Sequence, residues 1–117
     1  MSTAPATTHL TTHVLDASAG TPAVAVLAVL WAAGGEEIAR AKTDTDGRAA
    51  LGPERLPVGT YVLTFATGAY FARRDVETFY PEVAVTFAVA DAPDGSLRHH
   101  HVPLLLSPFA YSTYRGS

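Results

Sequence analysis

Hydrophobic positions along this chain recur mostly at every second residue. Val83, Val85, Phe87 and Val89 alternate with Ala84, Thr86 and Ala88, and Tyr61, Leu63 and Phe65 alternate with Val62, Thr64 and Ala66. A period of two sends successive side chains to opposite faces, so both segments are predicted to be half-buried strands. Residues 10–16, rich in Thr, Val and Leu, are predicted as an opening strand. Residues 23–31 are apolar on both faces, as expected of a central strand or of one that meets a second subunit. Residues 37–42 form a weaker strand, set off by Gly34-Gly35, a hairpin dipeptide. A short strand starts at Arg48, residues 99–106 form another, and residues 110–114 one more. Turns fall at Asp46-Gly47 and Asp94-Gly95, and loops at residues 57–59 and 92–94. One helix is predicted, over residues 68–75. Thr67 is placed to cap its start, and Arg73 and Arg74 suit its C-terminal end. Pro81 stops any continuation. About eight short strands with one short helix predict an all-β sandwich.

Composition bounds this picture. The 117 residues are 48% hydrophobic and 16% charged, which is globular, and the length suits one domain. That domain is expected over residues 9–117, after a Thr/Ala-rich tail at residues 1–8. There are no cysteines, so disulfides, thiol nucleophiles and zinc–thiolate sites are excluded. The net charge is -3, from 8 Lys+Arg against 11 Asp+Glu, with no basic stripe, so no nucleic-acid partner is expected. The longest uncharged apolar run, residues 22–35, is shorter than the roughly 20 residues needed to span a bilayer, so no membrane partner is expected. The first eight residues have neither a cationic nor an apolar segment, which is unlike a secretory signal.

Candidate chemistry is left to histidine, arginine, carboxylates and hydroxyls. His13 lies inside the first strand. His9 shares its parity but sits at the expected frayed edge, where a solvated side chain is predicted. In the His99-His100-His101 tract, alternation puts His99 and His101 on one face and His100 on the other. Two such histidines could join a third ligand on a metal. No acidic partner at a fixed offset accompanies them, and no metal is expected. Asp44-x-Asp46-Gly47 resembles the start of a calcium loop but lacks the later ligands, so a plain turn is predicted. From position alone, Arg48 reads as a surface arginine paired with Asp44 or Asp46. The chain end, residues 111–117, carries two tyrosines and an arginine straight after an apolar strand, and reads as tied down rather than frayed.

Together these segments carry a resemblance. Leu10-Thr11-Thr12-His13-Val14-Leu15-Asp16, Asp46-Gly47-Arg48, His101-Val102-Pro103-Leu104-Leu105-Leu106-Ser107-Pro108 and the closing Tyr114-Arg115-Gly116-Ser117 resemble the 5-hydroxyisourate hydrolases, the enzyme branch of the transthyretin family. Gly68-Ala69-Tyr70-Phe71 and Phe79-Tyr80-Pro81-Glu82 are similar to that family's helix and following strand. The sequence departs at His100, where a tyrosine is usual, and at Asp44, where an asparagine is common.

The resemblance implies a transthyretin-like sandwich that dimerises, with two dimers stacking into a homotetramer whose active sites line the groove between dimers. It implies His13, Arg48 and His101 as a catalytic trio, with Ser117 as a further catalytic group through its α-carboxylate. Tyr114, Arg115 and Gly116 would line the substrate pocket with His13 and Arg48. The implied reaction is hydrolysis of 5-hydroxyisourate, opening the six-membered ring at its amide bond to give a ureido-imidazoline carboxylate, without a cofactor and in the cytoplasm. Residue chemistry fits. An imidazole titrates near ~6.5 and serves as base or acid. A guanidinium stays charged and offers paired N–H donors to a planar carbonyl. Which histidine acts as base is left open at this point. A carrier of the same fold, binding a small molecule without turnover, is the alternative; it has no need of two imidazoles and an arginine together.

Overall fold

The period-two segments fold as strands close to their expected positions. The computed structural model describes residues 9–116. Chain order is β1 (Leu10–Asp16), β2 (Thr21–Pro22), β3 (Leu27–Ala32), β4 (Glu37–Lys42), β5 (Arg48–Leu51), β6 (Gly59–Phe65), α1 (Thr67–Arg73), β7 (Val83–Val89), β8 (His100–Ser107) and β9 (Ala110–Thr113). The tail expected over residues 1–8 lies outside the described residues.

Two sheets form the sandwich. One runs β4-β3-β6-β7, all antiparallel. The other runs β2-β1-β8-β9, and β5 pairs with β1 on the edge away from β8. β1 and β8 are parallel, with Thr11 opposite His101 and His13 opposite Pro103. β1 and β5 are antiparallel, with His13 opposite Arg48. Alternation then sorts the faces. Leu10, Thr12, Val14 and Asp16 are buried, while Thr11, His13 and Leu15 face outward. Leu10, Val14, Leu104 and Leu106 meet Leu30, Leu63 and Phe65 of the other sheet, and α1 adds Tyr70 and Phe71.

Three expectations are corrected. The strand expected over residues 23–31 begins only at Leu27. Before it the backbone turns through Ala25 at a φ of 61°. Buried Thr43 holds this turn: its hydroxyl donates to the Ala23 carbonyl at 2.7 Å and accepts from the Val26 amide at 2.9 Å. From Leu27 onward the segment is a central strand, between β4 and β6. Second, Thr67 does not cap α1. It is the first helical residue, after Ala66, and its hydroxyl donates to the Tyr80 carbonyl at 2.8 Å. The helix ends at Arg73 rather than at residue 75. Third, His9 is not solvated. It is 1% exposed, with Nε2 donating to the Arg98 carbonyl and Nδ1 accepting from the Leu56 amide, both at 2.7 Å.

Buried Asp16 ties α1 to the end of β1. Its carboxylate accepts from the Tyr70 hydroxyl at 2.7 Å and from the Ser18 hydroxyl at 2.6 Å. Burial alone would raise its pKa, but the bonds from Ser18, Tyr70 and Ala19 outweigh burial and hold it below the ordinary value. Burial and the neighbouring carboxylate push Tyr70 up to about 12. Among the described residues, no helix is long and apolar enough to cross a membrane.

Candidate active site

The outer face of the β1 sheet gathers the expected chemistry because β1 sits between β5 and β8. The antiparallel neighbour brings Arg48 beside His13, and the parallel neighbour brings His101 beside Thr11. An open groove of about 390 Å3 lies over this face, lined among others by Thr11, Asp44, Arg48, Ala50, His99 and His101.

The turn before β5 sets the Arg48 end. Asp44 Oδ1 accepts from the amides of Asp46 and Arg48, both at 2.9 Å. These bonds, the Arg48 amide first, hold the Asp44 carboxyl below its ordinary range, helped by the charges of Arg48 and His13. The carboxylate is thus spent on closing the turn. Gly47 completes it at a φ of 78°, with a Cβ position that would strike the Val14 carbonyl and the Pro22 side chain. The expected Arg48–Asp44 link is therefore made by backbone N–H. Among the described residues no carboxylate stands within ion-pair distance of the Arg48 guanidinium. His13 stands beside the groove and donates from Nε2 to the Asp46 carbonyl at 2.9 Å, which leaves Nδ1 as its second nitrogen.

His101 is half-buried, with Nδ1 at 2.8 Å from the Thr11 hydroxyl. Burial first, then the charges of Arg48, His13 and His99, lower its pKa, against an opposing hydrogen bond with the Thr11 backbone. The imidazole is therefore neutral at neutral pH. His99 is exposed on the same face, and its Nε2 reaches the same hydroxyl at 2.8 Å. His100 points the other way, as alternation predicts. Its Nδ1 donates to the Arg98 carbonyl at 2.9 Å, and its ring packs edge-on against His9 with centroids 5.0 Å apart. Among the described residues no three His, Asp or Glu side chains converge as a metal-holding group.

The chain end is tied down, as its pattern predicts. The Gly116 amide donates to the His101 carbonyl at 2.9 Å. Tyr114 and Arg115 line a second cleft of about 340 Å3, shared with Thr86, Phe87 and His100, and His101 borders both spaces. The structure thus brings together His13, Arg48, His101 and Gly116, and sets Tyr114 and Arg115 on the far side of His101. Ser117 lies outside the described residues. Thr11 is the site residue that sequence reasoning missed. Its outward parity with His13 was legible, but its pairing with His101 depends on a parallel register that no local pattern announces.

Fold and face together define a small two-sheet sandwich carrying an imidazole–guanidinium groove on one sheet. A model of the HIUase/Transthyretin family matches residues 10–116. The chain is similar to the 5-hydroxyisourate hydrolase of Salmonella typhimurium, 42% identical over 92% of this chain and 80% of that one. Klebsiella pneumoniae 5-hydroxyisourate hydrolase superposes with a TM-score of 0.82 at 41% identity, over 92% of this chain and 98% of that one. Sea bream transthyretin in complex with thyroxine superposes with a TM-score of 0.81 at 32% identity, over 92% and 94%. The chain belongs to the HIUase/Transthyretin family.

Proposed function

We propose that this protein hydrolyses 5-hydroxyisourate to a ureido-imidazoline carboxylate. The observation that carries the reading is the shared groove of Arg48 and His101, with His13 beside it. Backbone likeness does not discriminate, since hydrolase and hormone-binding relatives superpose equally well. Residue chemistry does. A carrier needs shape and apolar contact, whereas this groove sets a neutral base beside a fixed cation.

Arg48 binds the carbonyl of the scissile amide and steadies the oxyanion that develops there. His101, held at Nδ1 by Thr11, takes a proton from water through Nε2 as the water oxygen bonds to the carbonyl carbon. The carbon–nitrogen bond then breaks. The leaving nitrogen receives a proton through His13 Nδ1, while the His13 Nε2–H stays on the Asp46 carbonyl. Solvent exchange returns the proton from His101 and reloads His13. Ser117, through its α-carboxylate, completes the proposed site, and Tyr114 and Arg115 line the cleft on the other side of His101.

The same proposal includes a homotetramer in the cytoplasm. Its support in the fold is that β7 and β9 each end a sheet, and that Phe109 and Tyr114 are more than half exposed near β9. Unpaired edges and exposed aromatics are what subunit contacts cover. Light scattering is expected to return about four times the 12.3 kDa chain mass, and fractionation of cells tests the location. The activity is tested by following the absorbance decay of freshly generated 5-hydroxyisourate with and without the protein. Acceleration that is lost in His101→Ala is expected; decay at the uncatalysed rate would overturn the reading in favour of a carrier.

A further inference from the structure

The Thr11 hydroxyl lies 2.8 Å from two imidazole nitrogens, His99 Nε2 and His101 Nδ1. A hydroxyl has one hydrogen and two lone pairs. It can donate to only one of the two rings, so the other ring must carry its own N–H and donate to the oxygen. The protonation patterns of His99 and His101 are therefore coupled through one oxygen atom. Neighbouring Thr12 shows the contrast: it is buried, and its hydroxyl donates to the Val102 carbonyl at 2.6 Å, a contact that joins β1 to β8 without touching an ionisable group.

We infer that Thr11 is a positioning residue, a hydroxyl relay that fixes the proton of His101 on Nδ1 and connects that ring to exposed His99. The inference rests on the hydrolase reading and deepens it. In the resting arrangement His101 Nδ1–H donates to Thr11, Thr11 O–H donates to His99 Nε2, and His99 holds its hydrogen on Nδ1. His101 then offers the lone pair of Nε2 to a water in the groove. When Nε2 takes that proton, the Nδ1 proton passes to Thr11 and the Thr11 proton passes to His99 Nε2. No proton is created or lost. His101 is again neutral, now with Nε2–H, and the positive charge sits on exposed His99. Without the hydroxyl, the imidazolium stays beside Arg48 and the resting tautomer is no longer set.

Charged and titratable groups around His101 are Asp44 and Arg48 from the turn and β5, His13 from β1, His99 before β8, and Arg98 and Arg115 across the second cleft. Thr11→Val keeps the shape and removes the hydroxyl, while Thr11→Ser keeps the hydroxyl. For Thr11→Val, kcat is expected to fall about 10–100-fold with KM within about twofold. Thr11→Ser should restore kcat. His99→Ala should lower kcat several-fold, and adding it to Thr11→Val should cost nothing further, because the relay is already cut. Nitrogen-15 spectra of the ring nitrogens in the free wild-type protein should show His101 protonated on Nδ1, and Thr11→Val should lose that preference. Unchanged rate and tautomer in a folded Thr11→Val would overturn the relay, as would additive losses in the double variant. If the wild type fails to hydrolyse 5-hydroxyisourate, the functional reading falls, while the ring spectra still decide whether Thr11 couples the two histidines.

Discussion

Gly116 lies flat against the imidazole of His101. Its amide donates to the His101 carbonyl at 2.9 Å, and a Cβ built on it would overlap the ring edge and stand 3.1 Å from both His101 Cγ and Pro103 Cγ. The backbone there has an ordinary φ, so the requirement for glycine is one of space. Gly116→Ala is expected to push the ring off the Thr11 hydroxyl and to lower kcat tenfold or more, since displacing a reacting group by about 1 Å can cost about 100-fold. Circular dichroism should match the parent. Parental activity in Gly116→Ala would show that the ring tolerates the shift.

Deleting residues 114–117 removes the same support. None of these residues belongs to the alternation that fills the core, so the truncated chain should fold with a thermal midpoint close to the parent and lose turnover. A folded truncation with full activity would make the chain end a bystander.

On the proposed mechanism, the acid side of the rate profile should follow His101. Burial, Arg48, His13 and His99 lower its pKa, so the free base persists to pH values below the ordinary ~6.5. The rate should fall only as pH drops through that depressed value. Arg48→Met removes one cause of the depression. It should move the acid limb upward, and should also lower the rate by about two to three orders of magnitude through loss of carbonyl stabilisation. A limb that stays in place would mean that Arg48 does not contribute to the depression.

Stability should carry a related signature. His100 is lowered by burial first and then by His9, Arg115 and Arg98, and His101 is lowered as well. With folded values below unfolded ones, the unfolded chain takes up protons first as pH falls. The stability present above about 6.5 is lost as pH falls through the folded values. Urea midpoints at pH 8 and pH 5 should show the decline, and His100→Tyr, which removes one of these ionisations, should flatten it.

His9→Ala tests the buried histidine. It strips the acceptor from the Leu56 amide and the donor from the Arg98 carbonyl, and leaves a cavity. The expected loss is about 2–4 kcal/mol in denaturant titrations, with activity retained while the protein stays folded.

Local pattern exposed much of this molecule. The alternations at Tyr61–Leu63–Phe65 and Val83–Val89 are short-range signals, and the strands fell where they were read. Gly35 and Gly47 adopt the positive φ that their turn dipeptides imply. The faces of His99, His100 and His101 followed from parity alone. What escaped depended on distance along the chain. His9 looked frayed because its two partners stand 47 and 89 residues away. Thr67 looked like a cap because local propensity is blind to the Tyr80 carbonyl that claims its hydroxyl. The recognition of Arg48 and His101 as neighbours came from the family resemblance; the strand pairing that explains it lies in the register of β5 and β8 on β1.

The parallel pairing of β1 with β8 has a consequence for how the protein is made. Thr11 and His101 are 90 residues apart, and the whole pairing keeps that separation. Contacts of such range make folding slow, because a long loop must close before they form. During synthesis β1 leaves the ribosome well before β8, and it must wait with one edge open until β8 follows. His13 and Arg48 can meet before β8 is made, where β5 pairs with β1, but the groove needs His99 and His101. The groove therefore waits on β8, and a chain stopped before β8 is expected to be inactive whatever it has already folded.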